Sequence, residues 1–240
     1  MEYFGQQSSR LLETQLEQEN IHDVFLKKCS FPEKVLRQKA WKNSILDECY
    51  VDQSIFNQSE FNKITIKMSN VREANFTESL FDDVTFENNI LIKSIFSQCH
   101  LRSVKISECV APSSVFTNAV IENCHFRNID WTKANLSNSV FYSSIFEFPG
   151  TFGVTGIRDG RLNRSFFFDC EFQGEVFENC SLDESVFVKC RFKQVSWNDI
   201  DTSKAVFAEC LGGPHGANDR QQIHLTETDF LKLFNGSSLL

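Results

Sequence analysis

The residues of this chain best equipped to do chemistry are nine cysteines and five histidines, and their spacing decides what chemistry is open to them. His22, His100, His125, His215 and His224 form no dyad or metal pair by sequence spacing, and zinc-type Cys-x-x-Cys spacing is absent. Cys99-His100 and Cys124-His125 are adjacent, but successive side chains of an extended chain point to opposite faces, so neither pair can meet as nucleophile and base. A nucleophile elbow, a zinc-protease helix and a dinucleotide fingerprint are also missing. The expectation is a protein without catalytic residues, cofactor or metal.

The cysteines have another explanation. Cys29, Cys49, Cys99, Cys109, Cys124, Cys170, Cys180, Cys190 and Cys210 all occupy one place in a five-residue word. Its clearest copy is Ala74-Asn75-Phe76-Thr77-Glu78. Around it, large apolar residues recur at every fifth place, from Val71, Phe76, Phe81 and Phe86 through Leu136, Phe141 and Phe146. Two places before each centre stands a small or compact residue, such as Ser69, Ala74, Ser79, Val84, Cys99 or Cys124. Eighteen of the 25 phenylalanines fall on centres in this reading, so the aromatic content is core.

A period of five fits neither a helix nor a strand, because neither turns the same face inward at every fifth residue. It fits a chain that turns a corner every five residues. Four sides close a square coil, and coils stacked at about 4.8 Å hydrogen-bond to those above and below. The centre fills the axis and the small residue fits beside it. Residues one coil apart then stack, which brings Cys29 near Cys49 and Cys170, Cys190 and Cys210 near one another, within disulfide reach. An odd number of cysteines without an export signal favours buried free thiols. No coil buries its core alone, so the ends need caps.

These words resemble the pentapeptide-repeat family, whose loose motif is Ala-Asp/Asn-Leu-x-x with Phe common at the centre. The resemblance covers roughly residues 21–210. It implies an all-β solenoid, a right-handed quadrilateral β-helix, here with short terminal helices. Ser or Cys stands at the small place more often than Ala, and Asp or Asn seldom follows it.

Three segments are expected: residues 1–20 as an N-terminal cap or flexible segment, residues 21–211 as the β-helix, and residues 212–240 as a linker and helix. Ser8 or Ser9 can cap a helix running through Gln18, with Leu11, Leu12 and Leu16 on one face; a secretion signal is the alternative for this stretch. Between Phe146 and Phe152 the step is six, which places a one-residue shift near residues 147–150. The glycine-containing stretch from Pro149 to Arg164 is then a bulged coil or a loop that rejoins later. The bulge is preferred because it puts Cys170, Cys190 and Cys210 on the side of Cys29, Cys49 and Cys109. After Gly212-Gly213-Pro214, Thr226 or Thr228 can cap a short helix carrying Phe230, Leu231 and Phe234.

Net charge is −8 and the sequence pI about 5.2, which disfavours direct binding to nucleic acid or an anionic membrane. No apolar run reaches the length of a membrane span. The absence of a signal-peptide layout suggests a cytoplasmic protein, or one delivered into a host cell if its start is a secretion signal.

Sorting outward residues by side gives three candidate surfaces. Asn57, Thr77, Ser97, Thr117 and Ser137, beside Gln58, Glu78, Gln98, Asn118 and Asn138, form nearly neutral rows. Ile145, Phe148, Phe166, Phe168, Val186, Val188, Val206 and Ala208 would form an apolar patch in the one-residue register. The C-terminal helix is expected to cover that patch, within the chain or exchanged in a homodimer. Residues 165–209 hold nine carboxylates against four basic residues, among them Glu171, Glu178, Asp183 and Glu184. The leading expectation is a non-enzymatic scaffold for a protein partner, similar in wording to pentapeptide-repeat effectors of enteric pathogens. The runner-up comes from resemblance to Qnr-type quinolone-resistance proteins and the related mycobacterial protein, which imitate DNA and protect gyrase.

Overall fold

The computed structural model describes residues 2–4, 9–149, 155–197 and 200–214. They form a parallel β-solenoid of about nine turns. Rungs pair twenty residues apart: Thr65 with Thr85, Thr85 with Lys105, Lys105 with His125 and His125 with Ile145. Four sides can be named by a centre residue. The Phe81 and Phe126 sides carry continuous parallel strands. On the Val71 and Phe96 sides the coils meet mainly through isolated bridges such as Asn70↔Ile90 and Asn75↔Ile95. Centres stack as ladders, with Phe76, Phe96 and Phe116 rings 4.9 and 4.7 Å apart and nearly parallel.

The small inward place does more than save space. Ser59 accepts the Lys39 N–H at 3.1 Å, and its hydroxyl donates to the Leu36 carbonyl at 3.2 Å. Cys99 donates its thiol to Phe76 O at 2.9 Å. A residue here must be compact and able to satisfy backbone groups of the preceding coil, which is why Ser and Cys dominate. Asn89 meets the same demand: it accepts from Ser69 N at 2.9 Å and donates to Ile66 O at 2.7 Å.

The corners are made two places after each centre. From Asp23 to Ser143 every fifth residue has a left-handed backbone, with φ between 47 and 62°, and none is glycine or β-branched. Left-handed backbone is costly for a side chain and most costly for a branched one. What holds it is the inter-coil bond, such as Gln98 N–H to Thr117 O at 2.9 Å. Gln98→Val should therefore destabilise the fold by about 1–2 kcal/mol, while Gln98→Gly should be neutral or better. Equal denaturation midpoints for the two variants would show that corner strain is not limiting.

The next corner place is Phe148, and there the corner fails. Strand Ile145–Phe148 runs one residue further, with the Phe148 ring 0% exposed inside the core beside Trp131. The chain leaves after Pro149 and is back in register by Gly156, which bridges to Asp130. Across this detour rungs are 26 residues apart: Phe141 pairs with Phe167 and Phe146 with Phe172. The expected one-residue shift is thus corrected to an excursion of six extra residues. The cysteine argument for it falls too. Cys170, Cys190 and Cys210 lie on the Phe126 side below Cys124, not with Cys29, Cys49 and Cys109, since Ile145 N bonds to Cys124 O, Glu171 N to Ser144 O, Arg191 N to Cys170 O and Leu211 N to Cys190 O.

Gly174 is required where the chain passes the detour. Its φ is +86°, and a Cβ there would lie 2.0 Å from the Phe148 carbonyl oxygen. Glu175 turns outward to Arg158 at 3.7 Å while Val176 fills the interior. At the N-terminal end, strand Glu2–Phe4 pairs with Phe25–Lys27, and helix Ser9–Glu17 sends Leu16 into the core. The helix expected after Thr226 lies outside the described residues.

Candidate interaction surfaces

Among the described residues the cysteines of the interior are held as thiols. Burial pushes the thiols of Cys99, Cys109 and Cys124 up to about 12 and that of Cys180 to about 11, so they stay protonated at neutral pH. His100 and His125 point outward to Glu122 at 3.8 Å and Glu147 at 3.1 Å, away from the inward Cys99 and Cys124. Among the described residues no group of three or more His, Cys, Asp or Glu is placed to hold a metal ion. His215 and His224 lie outside those residues. No helix among them is long and apolar enough to cross a membrane.

The expected apolar patch is half right. Phe166, Phe168, Val186, Val188, Val206 and Ala208 do line one side, because Phe166–Phe168, Val186–Val188 and Val206–Ala208 pair in register. The side is that of Phe81 and Phe141, not that of Phe126. Phe148 is removed from the patch because it faces the core, and Ile145 because it sits on the neighbouring side, 42% exposed. Val140 and Tyr142, which the one-residue register hid, belong in their place, with the Tyr142 and Phe168 rings 5.7 Å apart. Phe168, Val188 and Ala208 form an apolar cluster of their own, outside the main core, with Val140, Tyr142, Phe166 and Val186 packed against it. Phe230, Leu231 and Phe234 lie outside the described residues.

The four carboxylates singled out on charge do not form a row. Glu171 is on the Phe126 side, Glu178 on the Val71 side, and Asp183 and Glu184 on the Phe96 side. Each stands beside a cation: Glu171 with Lys193 at 2.7 Å, Glu178 with Arg158 at 2.6 Å, Asp183 with Lys204 at 3.4 Å and Glu184 with Arg164 at 3.0 Å. Elsewhere charges alternate up the coils. On the Phe126 side Asp47 lies between Lys27 and Lys67, at 3.7 and 3.5 Å. On the Phe81 side Arg102 grips Asp82 through two bonds of 2.9 and 2.8 Å, which holds the Asp82 carboxyl below its usual range.

The neutral rows on the Phe96 side precede the detour and stand as expected. Bridges Ile55↔Asn75, Asn75↔Ile95, Ile95↔Val115 and Val115↔Asn135 hold them in step. Ser97 and Thr117 hydroxyls are 2.9 Å apart, and Gln58 links Gln38 and Glu78 at 3.0 and 2.8 Å. Beside the hydroxyl row runs a half-buried row of Ile55, Asn75, Ile95, Val115 and Asn135. The result is a flat face on a rigid backbone, with side chains at the coil repeat and little net charge.

A solenoid with a filled axis, four sides and parallel rungs belongs to the class of parallel β-helices. Residues 39–116 match the family model described as a pentapeptide repeat region, and residues 114–147 the model of pentapeptide repeats in eight copies. Residues 39–147 are thus a pentapeptide-repeat region. Among solved structures it is similar to HetL, a pentapeptide-repeat protein involved in heterocyst differentiation regulation from the cyanobacterium Nostoc sp. strain PCC 7120. That match has 11% identity, 82% of this chain and 95% of the other covered, and a TM-score of 0.51. The plasmid-mediated fluoroquinolone resistance protein QnrB1 matches at 13% identity over 87% of this chain and 96% of its own, with a TM-score of 0.37. No curated protein matches the sequence.

Proposed function

We propose that this protein is a non-enzymatic scaffold that binds a partner protein through the Phe96 side of its β-helix. The observation that carries this reading is the lattice of Thr77, Ser97, Thr117 and Ser137 beside Ile95 and Val115, held flat by inter-coil bridges. Covering neutral hydroxyls and aliphatic side chains costs less desolvation than covering ion pairs. The rigid backbone also loses little freedom on binding. The alternating charges of the other sides are already paired to each other, which leaves this side the cheapest to cover.

A gyrase-protecting DNA mimic would instead need rows of carboxylates free to replace phosphates. Glu171, Glu178, Asp183 and Glu184 lie on three sides with cations beside them. Purified protein should leave gyrase supercoiling unchanged, with or without a quinolone.

The test compares wild type with Thr117→Arg, a substitution at a half-buried outward place, as affinity baits in bacterial and in host-cell lysates. The expected result is a stoichiometric partner retained by wild type and lost by the variant at equal thermal stability. The lysate that supplies it shows whether the protein acts where it is made or as a delivered effector. A partner held equally by both baits, or clear gyrase protection, would overturn the assignment.

A further inference from the structure

On the outside of a parallel sheet, neighbouring rungs shield a side chain laterally but leave its tip to solvent. The Phe81 side obeys this in its early coils, where Leu80 is 49% exposed and His100 and Arg102 are exposed. In its last coils the same outward rows are closed off: Phe168 is 5%, Ala208 4% and Val188 0% exposed. Flanking Val and Phe side chains cannot by themselves close the tip of Val188, so a further layer lies over this strip.

We propose that the layer is the C-terminal segment of the same chain, residues 223–240, docked in cis through Phe230, Leu231 and Phe234. The described chain ends where such a segment has to begin. Leu211 pairs with Arg191, a Cβ added at Gly213 would lie 3.9 Å from the Phe207 ring, and Pro214 is buried. The strip flanks Phe207 through Val206 and Ala208 and reaches back two coils to Phe168, about 10 Å at the rung spacing. The stretch from His215 to Ile223 spans that distance easily at about 3.3–3.6 Å per extended residue.

Sequence supplies the matching surface. Phe230, Leu231 and Phe234 lie on one face at helical spacing, after Thr228 and Asp229, which suit a helix start. A helix of that length is not stable alone and needs an apolar surface to lie on. The rim of the strip carries both signs, Asp169 and Glu209 beside Lys189, whose ammonium lies over the Phe168 ring at 5.4 Å. The match between segment and strip is therefore one of apolar faces.

The test uses the full chain with a benzophenone amino acid placed at Phe234 and irradiated at low protein concentration. The expected product is a monomeric band whose cross-linked peptides contain Phe168 or Val188. Cross-links in a dimeric band only would assign the strip to a second copy, and cross-links confined to other sides, or none, would remove the segment from it; each outcome overturns docking in cis. As a second measurement, the full-length Phe230→Asp/Phe234→Asp variant should bind several-fold more hydrophobic dye than wild type while keeping its β spectrum. Unchanged dye binding would overturn the proposal independently of the cross-link.

Discussion

Phe116→Ala should lower unfolding stability by about 3–5 kcal/mol, the cost of deleting a buried aromatic. Its ring lies 4.7 Å from Phe96 in a near-parallel stack and 5.5 Å from Trp131 edge-on. The void cannot close, because Phe116 N bonds to Asn135 O and Asn135 N to Ser114 O, fixing the coil spacing around it. In a solenoid each coil leans only on its neighbours, so the loss falls on the coils beside Phe116. Urea unfolding followed by amide exchange should show protection falling first in the strands that flank this coil. An unchanged transition would show that the axis is not the source of stability.

Asn89→Leu should be nearly as damaging for the opposite reason, since it adds apolar volume but removes polar partners. The Asn89 side chain is the acceptor for Ser69 N–H and the donor to Ile66 O, both buried between coils. Leaving a buried group unpaired costs about 1–3 kcal/mol, and here two are orphaned. Asn89→Ser should recover most of the loss, because Ser59 makes the same pair of contacts with Lys39 N and Leu36 O. If the leucine variant melts with the serine variant, the inward place selects only for size.

These two substitutions mark the part of the protein that was legible in its residues. Large apolar centres and compact partners two places earlier state a period, and the period admits one architecture. The same reading placed the cysteines inward, separated Cys99 and Cys124 from the histidines that follow them, and assembled the neutral rows of the Phe96 side. The two Cys-His pairs and the neutral rows lie before the detour, where twenty residues make every coil.

The residues beyond it show where such reading stops. Phe148 is the first residue in the corner series that is neither polar nor methionine, and its ring goes inward instead of making the corner. That was a visible signal of interruption, but not of the length of the interruption. An insertion of one residue and an insertion of six leave the five-residue phase identical, so the centres from Ile157 to Phe192 are assigned correctly in either case. The side on which each centre falls differs between the two. It moved Phe166, Phe168, Val186 and Val188 from the Phe126 side to the Phe81 side and reassigned the cysteine ladder. By itself the sequence determined the coil, its core and its corner chemistry, because these repeat with the local step. Only the tertiary structure decided which outward residues share a face after residue 148, because that depends on which carbonyl each N–H meets one coil away.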